Sequence, residues 1–180
     1  MTAAGLGIMY YTLRATRQAA EAALLNARHL QNAERGWIVP KIQISNVKGF
    51  EDGNSLEDIA GGVVEMGVAI RGDNEGRTPA TLLKWSIRAI ITTKVPNSPD
   101  WDALQYQTAS DIVPPGEGKW SAWFTIKATG DLKPTDAVVL IYGRIEYTDV
   151  FRMSRSATYG YTLRGSNVTR LHQPEYNAHS

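Results

Sequence analysis

Cysteine is absent from the 180 residues. The chain therefore has no disulfide framework, no thiolate metal ligand and no thiol nucleophile. Histidine is scarce: the 3 residues are His29, His172 and His179. None falls on a segment that reads as a core strand, and no pair has metal-ligand spacing. Charge of one sign is lacking too. Lys+Arg number 19 and Asp+Glu 18, a net charge of +1, which gives no electrostatic case for a nucleic-acid partner. Gly-x-Ser-x-Gly, the P-loop and Gly-x-Gly-x-x-Gly after a strand are all missing. Nucleophilic catalysis needs an oriented base, and no histidine is placed to be one. The sequence thus predicts a protein that is not an enzyme, with no catalytic residue, no cofactor and no bound metal. Glu146 and Asp149 are the best-placed carboxylate pair, but they read as a strand-face residue and a turn residue. Asp52, Asn54, Glu57 and Asp58 offer oxygen ligands without the EF-hand pattern, and read as a solvated loop.

A long apolar run is missing as well. Met1 to Leu13 carries no charged side chain, but as a helix it reaches roughly 20 Å, and a bilayer core needs about 30 Å. It lacks the basic start and the cleavage site of a signal peptide. It reads as the second half of a membrane helix, with Tyr10 and Tyr11 at the interface and Arg14 and Arg17 at the headgroups. From Thr12 to Glu34 no Gly or Pro interrupts an Ala- and Leu-rich helix pattern. Leu13, Ala20, Ala23, Leu24, Ala27 and Leu30 recur at three-, four- and seven-residue spacing. Residues 1–35 are therefore a long N-terminal helix, a partial membrane anchor plus stalk.

At Gly36 the apolar period changes to two. Alternation runs through Trp37–Ile44, Val64–Arg71, Leu83–Ile91, Trp120–Lys127, Val138–Tyr147 and Ala157–Arg164. The fourth puts Trp120, Ala122, Phe124 and Ile126 inward, and the third does so for Leu83, Trp85 and Ile87. Val138, Leu140 and Tyr142 make the fifth apolar on both faces, as in a central strand. The pattern predicts a mainly β fold: an antiparallel Ig-like β-sandwich of about six to eight strands over residues 36–165. Residues 166–180 read as a polar, mobile tail.

Gly72 to Gly76 (Gly-Asp-Asn-Glu-Gly) is a turn signal built on Asn74 and Gly76, and Thr78-Pro79 sets the entry of the next strand. Tyr147 and Asp149 end the central strand. Trp123 alternates onto the wet face, where an indole is either covered by another segment or anchors a protein partner or a sugar. Trp37 opposes Ile38 and Ile42 where helix meets sheet. These two are the candidate partner-binding residues.

Three segments carry a resemblance: Ala33-Glu34-Arg35-Gly36-Trp37-Ile38, Asn74-Glu75-Gly76-Arg77-Thr78-Pro79-Ala80, and Gly143-Arg144-Ile145-Glu146-Tyr147-Thr148-Asp149-Val150-Phe151 followed by Tyr159-Gly160-Tyr161. In them the chain resembles uncharacterised bacterial membrane-anchored proteins in which a helix and stalk end in Glu-Arg-x-Trp-(Ile/Val) before a β-sandwich. The resemblance implies that architecture and membrane association, and implies no chemistry. The expected function is a membrane-tethered binding or assembly module with a protein partner, or self-association through the N-terminal helix. The alternatives are a filament or virion subunit with bundled helices and a carbohydrate-binding module using Trp123. Arg14, Arg17, Arg28 and Arg35 after the apolar run favour the cytoplasmic face.

Overall fold

The computed structural model describes residues 3–48, 63–129, 137–164 and 167–180. The chain divides into two compact units, Met1–Arg35 and Gly36–Ser180.

The first unit is one helix, α1 (Ala3–Glu34). Its 32 residues are about 48 Å long at 1.5 Å each. Arg17 Nε lies 2.9 Å from Glu21 Oε1, one turn on. Both groups are exposed, so the pair adds little to stability. Tyr10, Tyr11, Leu13, Leu24, Leu25 and Leu30 are exposed large apolar side chains. Among the described residues, no helix is long and apolar enough to cross a membrane.

The second unit is two stacked antiparallel sheets. One holds β1 (Ile38–Lys48), β2 (Val63–Asn74), β6 (Gly118–Trp120) and β7 (Phe124–Thr129). There β1 flanks β2 on one side, and β6 and β7 follow each other along its other side. The other sheet runs β10 (Asn167–Arg170), β9 (Ser154–Arg164), β8 (Val138–Asp149), β3 (Ala80–Thr92), with β4 (Gln105–Thr108) and β5 (Ile112–Val113) both on the far side of β3. Six strands are those the alternation predicts, and the short β4, β5, β6 and β10 are additions. The fold is mainly β, two antiparallel sheets preceded by one helix. The inner faces meet in a core of Val64, Met66, Val68 and Ile70 against Leu82, Trp85, Ile87, Ile141, Ile145 and Tyr159.

The central strand β8 is covered on its outer face as well. Leu140 and Tyr142 pack there with Tyr176 in a second cluster, joined by Ile90, Val95, Trp101, Leu104 and Leu171. The polar-looking loop before β4 thus carries Trp101 onto the sheet, 5.8 Å from the Tyr142 ring. The chain after β10 differs from the mobile tail expected for 166–180. Asn167 to Arg170 pair with Arg164 to Tyr161 of β9. The Leu171 N–H donates to the Gly160 carbonyl, and Thr158 and Ser180 donate to the carbonyls of Ala178 and Ser156. A 3₁₀ turn at Pro174–Tyr176 drops Tyr176 into the second cluster. The physical reason is the free edge of β9. Unpaired backbone groups there take the polar residues that composition alone assigns to solvent.

Three inward orientations are corrected, those of Leu83, Trp120 and Ala122, each of which is exposed. Leu82 pairs with Tyr147 and Lys84 with Glu146, so Leu83 is an extra residue in β3. Leu82 is buried and Leu83 exposed. Trp120 pairs with Arg71, whereas Phe124 pairs with Val68. One extra residue lies between them. A bulge of one residue turns every side chain on its far side to the opposite face. Trp120 therefore points outward with Arg71, while Phe124 and Ile126 point in. Ser121 bridges the break: its Oγ accepts the Ile70 N–H at 2.9 Å and its own N–H donates to the Ile70 carbonyl at 2.7 Å.

Candidate functional site

The predicted structural residues converge at one end of the sandwich. Asn74 is 1% exposed. Its Nδ2 donates to the carbonyls of Thr78 and Val113, both at 2.8 Å. Its Oδ1 accepts the N–H groups of Gly76 at 3.0 Å and Trp37 at 3.2 Å. One amide side chain thus ties the start of β1, the turn into β3 and the end of β5. Positive φ among the described residues falls at Gly116 (76°) and Arg152 (59°), so the amide, not a left-handed backbone at Asn74 or Gly76, makes this turn. Pro79 is exposed and leads into Ala80, which pairs with Asp149. Gly36 belongs to the same corner. A Cβ there would lie 2.9 Å from the Thr78 carbonyl oxygen and 3.1 Å from the Ala80 Cβ.

Tyr147 is buried in the core. Asp149 closes the turn between β8 and β9. Its Oδ1 accepts the N–H groups of Phe151 and Met153 at 3.0 Å, and its Oδ2 takes Arg155 Nε at 3.2 Å. These three bonds tie the carboxylate to the turn and to the start of β9. Glu146 lies on the outer face with Arg144 at 3.0 Å and Lys84 at 3.8 Å. The structure does not bring Glu146 and Asp149 into one cleft. Trp37 is half-buried and meets the His179 ring edge-on at 5.8 Å. Asp52, Asn54, Glu57 and Asp58 lie outside the described residues. Among the described residues, no group of three or more His, Asp or Glu could hold a metal ion.

The surface with binding chemistry is the outer face of β1–β2–β6–β7. Trp123 is 49% exposed there and Trp120 40%. Alternation along β2 puts Glu65, Gly67, Ala69, Arg71 and Asp73 on this face, since Val64, Met66, Val68 and Ile70 fill the core. Cross-strand pairing adds Lys41, Gln43 and Ser45 of β1 and Thr125 and Lys127 of β7. A Cβ at Gly67 would lie 3.5 Å from Trp123 Cε3 and 3.1 Å from Ser45 Oγ, so the missing side chain lets the indole lie close to the sheet. Gln107 Nε2 reaches the Trp123 carbonyl at 3.4 Å.

Arg71 lies over one face of Trp120. The Arg71 guanidinium carbon lies 5.7 Å from its ring centroid, within cation–π reach. Arg71 in turn hydrogen-bonds the Asp73 carboxylate, which also holds Lys41. Partial burial alone raises the Asp73 pKa, but the bonds from Lys41 and Arg71 and their charges outweigh it and hold it below the usual carboxylate value. Trp120 is the residue that strict alternation misses. Apolar alternation carries no mark of the extra residue, which shows only in the pairing register.

No family model and no curated protein matches the chain. Among solved structures it is similar to the Northeast Structural Genomics Consortium target SoR45, at 11% identity over 81% of this chain and 90% of that one, with a TM-score of 0.40. It is also similar to the putative ApaA protein from Bordetella pertussis, at 12% identity over 77% of this chain and 95% of that one, with a TM-score of 0.36. Likenesses at these scores carry no argument about function.

Proposed function

We propose that the chain is a non-enzymatic binding or assembly module, a β-sandwich carried on a helix that associates with a membrane. The observation that carries this reading is the exposure of Tyr10, Tyr11 and Leu13, and then Leu24, Leu25 and Leu30, along α1. An isolated helix gains little from backbone hydrogen bonding alone, and its stability comes from burying an apolar face. A bilayer supplies that burial for the apolar start, with Arg14 and Arg17 at the headgroups on the cytoplasmic side. Self-association through the helix, or a protein partner, supplies it for Leu24 and Leu30. The test is fractionation of cells expressing the full-length gene. Recovery in the membrane fraction, released by detergent and not by salt, is the expected result. Recovery wholly in the soluble fraction refutes the tether.

The same exposed residues support a second reading, a filament or virion subunit whose N-terminal helices bundle with the β-sandwich bodies outside. Ordered polymers in the electron microscope would select it. A strict monomer at high concentration would eliminate it. The two outward indoles favour a carbohydrate-binding reading of the sandwich itself, whatever the helix does.

A further inference from the structure

We propose that the outer face of the β1–β2–β6–β7 sheet is a saccharide platform for an uncharged glycan of at least two linked sugar rings, which stack on Trp123 and Trp120. This rests on the binding-module reading of the β-sandwich and is independent of the tether.

Three observations select a sugar. The exposed large apolar side chains of this face, among the described residues, are the two indoles. Gly67 and Ala69 project on the same face of β2 and add no bulk to it. A protein-binding patch concentrates apolar anchors at its centre with a polar rim. This face instead sets separate aromatic rings among hydrogen-bonding side chains, Gln43, Ser45 and Thr125. A pyranose matches that alternation, with a C–H face for a ring and hydroxyls at its edge for the polar groups.

The second observation is charge. Lys41 and Arg71 are both engaged by Asp73, and Lys127 Nζ lies 3.5 Å from Glu65 Oε2. Strands of nucleic acid also stack on aromatic rings, but they require cations free to meet phosphates. On this face three cations lie beside two carboxylates, so the local charge is close to balance, which suits a neutral ligand.

The third is spacing and rigidity. Trp120 and Trp123 are three residues apart, so their Cα atoms lie no more than roughly 11 Å apart. That span leaves room for two joined sugar rings, one on each indole. Arg71 covers one face of one indole, the Gly67 notch admits the other, and Gln107 holds the backbone carbonyl of Trp123. A platform that is already ordered loses little entropy when the ligand arrives.

The test titrates the full chain with cellohexaose, N-acetylchitohexaose and maltohexaose, following tryptophan fluorescence and affinity electrophoresis in gels containing the parent polysaccharides. Saturable binding of at least one hexaose is expected, with the corresponding monosaccharide at least about tenfold weaker. Trp123→Ala and Trp120→Ala should each weaken binding on the order of tenfold, the factor that one stacked ring represents. The double variant should abolish it. Both side chains project from the surface, so the melting temperature of each variant should stay near wild type. Gly67→Val, which keeps both indoles but unseats Trp123, should also weaken binding. Raising salt from low to physiological strength should change the affinity less than twofold. Absence of binding to all three hexaoses, binding untouched by either tryptophan substitution, or a salt-sensitive affinity would each overturn the proposal, as would capture of a protein on this face in place of a sugar. None of these outcomes alters the fractionation result, so the two readings fail separately.

Discussion

Replacing Tyr176 by alanine tests whether the C-terminal segment belongs to the folded body. The side chain is fully buried. Its ring meets Tyr142 edge-on at 5.8 Å, and its hydroxyl donates to the Pro96 carbonyl at 3.0 Å. The ring sits over Gly160, where a Cβ would come within 2.8 Å of it. Truncating a buried aromatic residue to alanine costs about 3–5 kcal/mol, less where the site can collapse. This cluster lies under a loop and can close, which points to the lower end, about 3 kcal/mol. Tyr176→Phe removes the hydroxyl alone and should cost about 1 kcal/mol. For a domain of this size the melting temperature falls about 2–4 °C per kcal/mol. The expected shifts are therefore roughly 6–12 °C for alanine and 2–4 °C for phenylalanine. Urea unfolding of the full chain, with near-UV circular dichroism to follow the tyrosines, measures both. Removal of residues 172–180 should cost at least as much as the alanine substitution, since the Ala178 and Ser180 bonds to β9 go with it. An alanine variant within about 1 kcal/mol of wild type would refute the reasoning, since substitution of a solvated tail residue stays inside ±0.5 kcal/mol.

Asn74→Ala should cost about 3 kcal/mol or more in denaturant unfolding, because it strands the Thr78 and Val113 carbonyls and two N–H groups at a buried corner; a variant as stable as wild type would remove Asn74 from that role. Gly143→Ala should prevent folding or leave a protein without a cooperative transition, since a Cβ there meets the Ser86 carbonyl head-on and lies 2.5 Å from the Tyr159 hydroxyl oxygen. Burial raises the Tyr159 pKa well above its ordinary value, and the charge of a neighbouring Tyr161 phenolate would raise it further. A raised phenol contributes stability that is fully present below the unfolded value of about 10 and is lost as pH rises through the folded value. Unfolding free energy should therefore fall in alkali, and Tyr159→Phe should flatten that fall while costing about 1–2 kcal/mol at neutral pH through the lost 2.7 Å bond to Ser86. Asp73 has the opposite sign: its lowered pKa gives stability present above about pH 4 and lost as pH falls through the folded value. Asp73→Asn should reduce the acid sensitivity measured below about pH 4, and unchanged acid unfolding would show that the Lys41 and Arg71 bonds contribute nothing.

The two-sheet body was readable because burial on one face leaves a period-two trace in sequence. Val64, Met66, Val68 and Ile70 follow it without a break, and each is buried. Leu140 and Tyr142 broke the alternation, and the second cluster on the outer face of β8 is the cause. What covered them was not readable. Trp101 comes from a loop and Tyr176 from a polar tail, and neither segment has a period. Their placement is set by the sheet they land on, which is information held in tertiary contact. Leu83 and Trp120 were misassigned for a different reason. Each lies at a bulge, and hydrophobicity cannot register an inserted residue when both it and its neighbour are apolar, as with Leu82 and Leu83.

The candidate site was half legible, and the missing half follows from that bulge. Phase counted back from Phe124 and Ile126 puts Trp120 in the core and leaves Trp123 a lone outward ring. Phase counted from Arg71 across the β2–β6 pairs puts Trp120 outside. The two counts disagree by one residue, and the disagreement creates a surface with two rings on it. The corner of the sandwich behaves differently. Gly36-Trp37, Asn74 to Ala80 and Tyr147 to Asp149 meet around one buried amide and one capped turn, where few side chains satisfy the same hydrogen bonds. That corner specifies how the sandwich is closed. The indole face lies away from that corner, on positions where many residues would keep the fold. The corner therefore carries architecture alone, and what the protein binds has to be decided on Trp120 and Trp123.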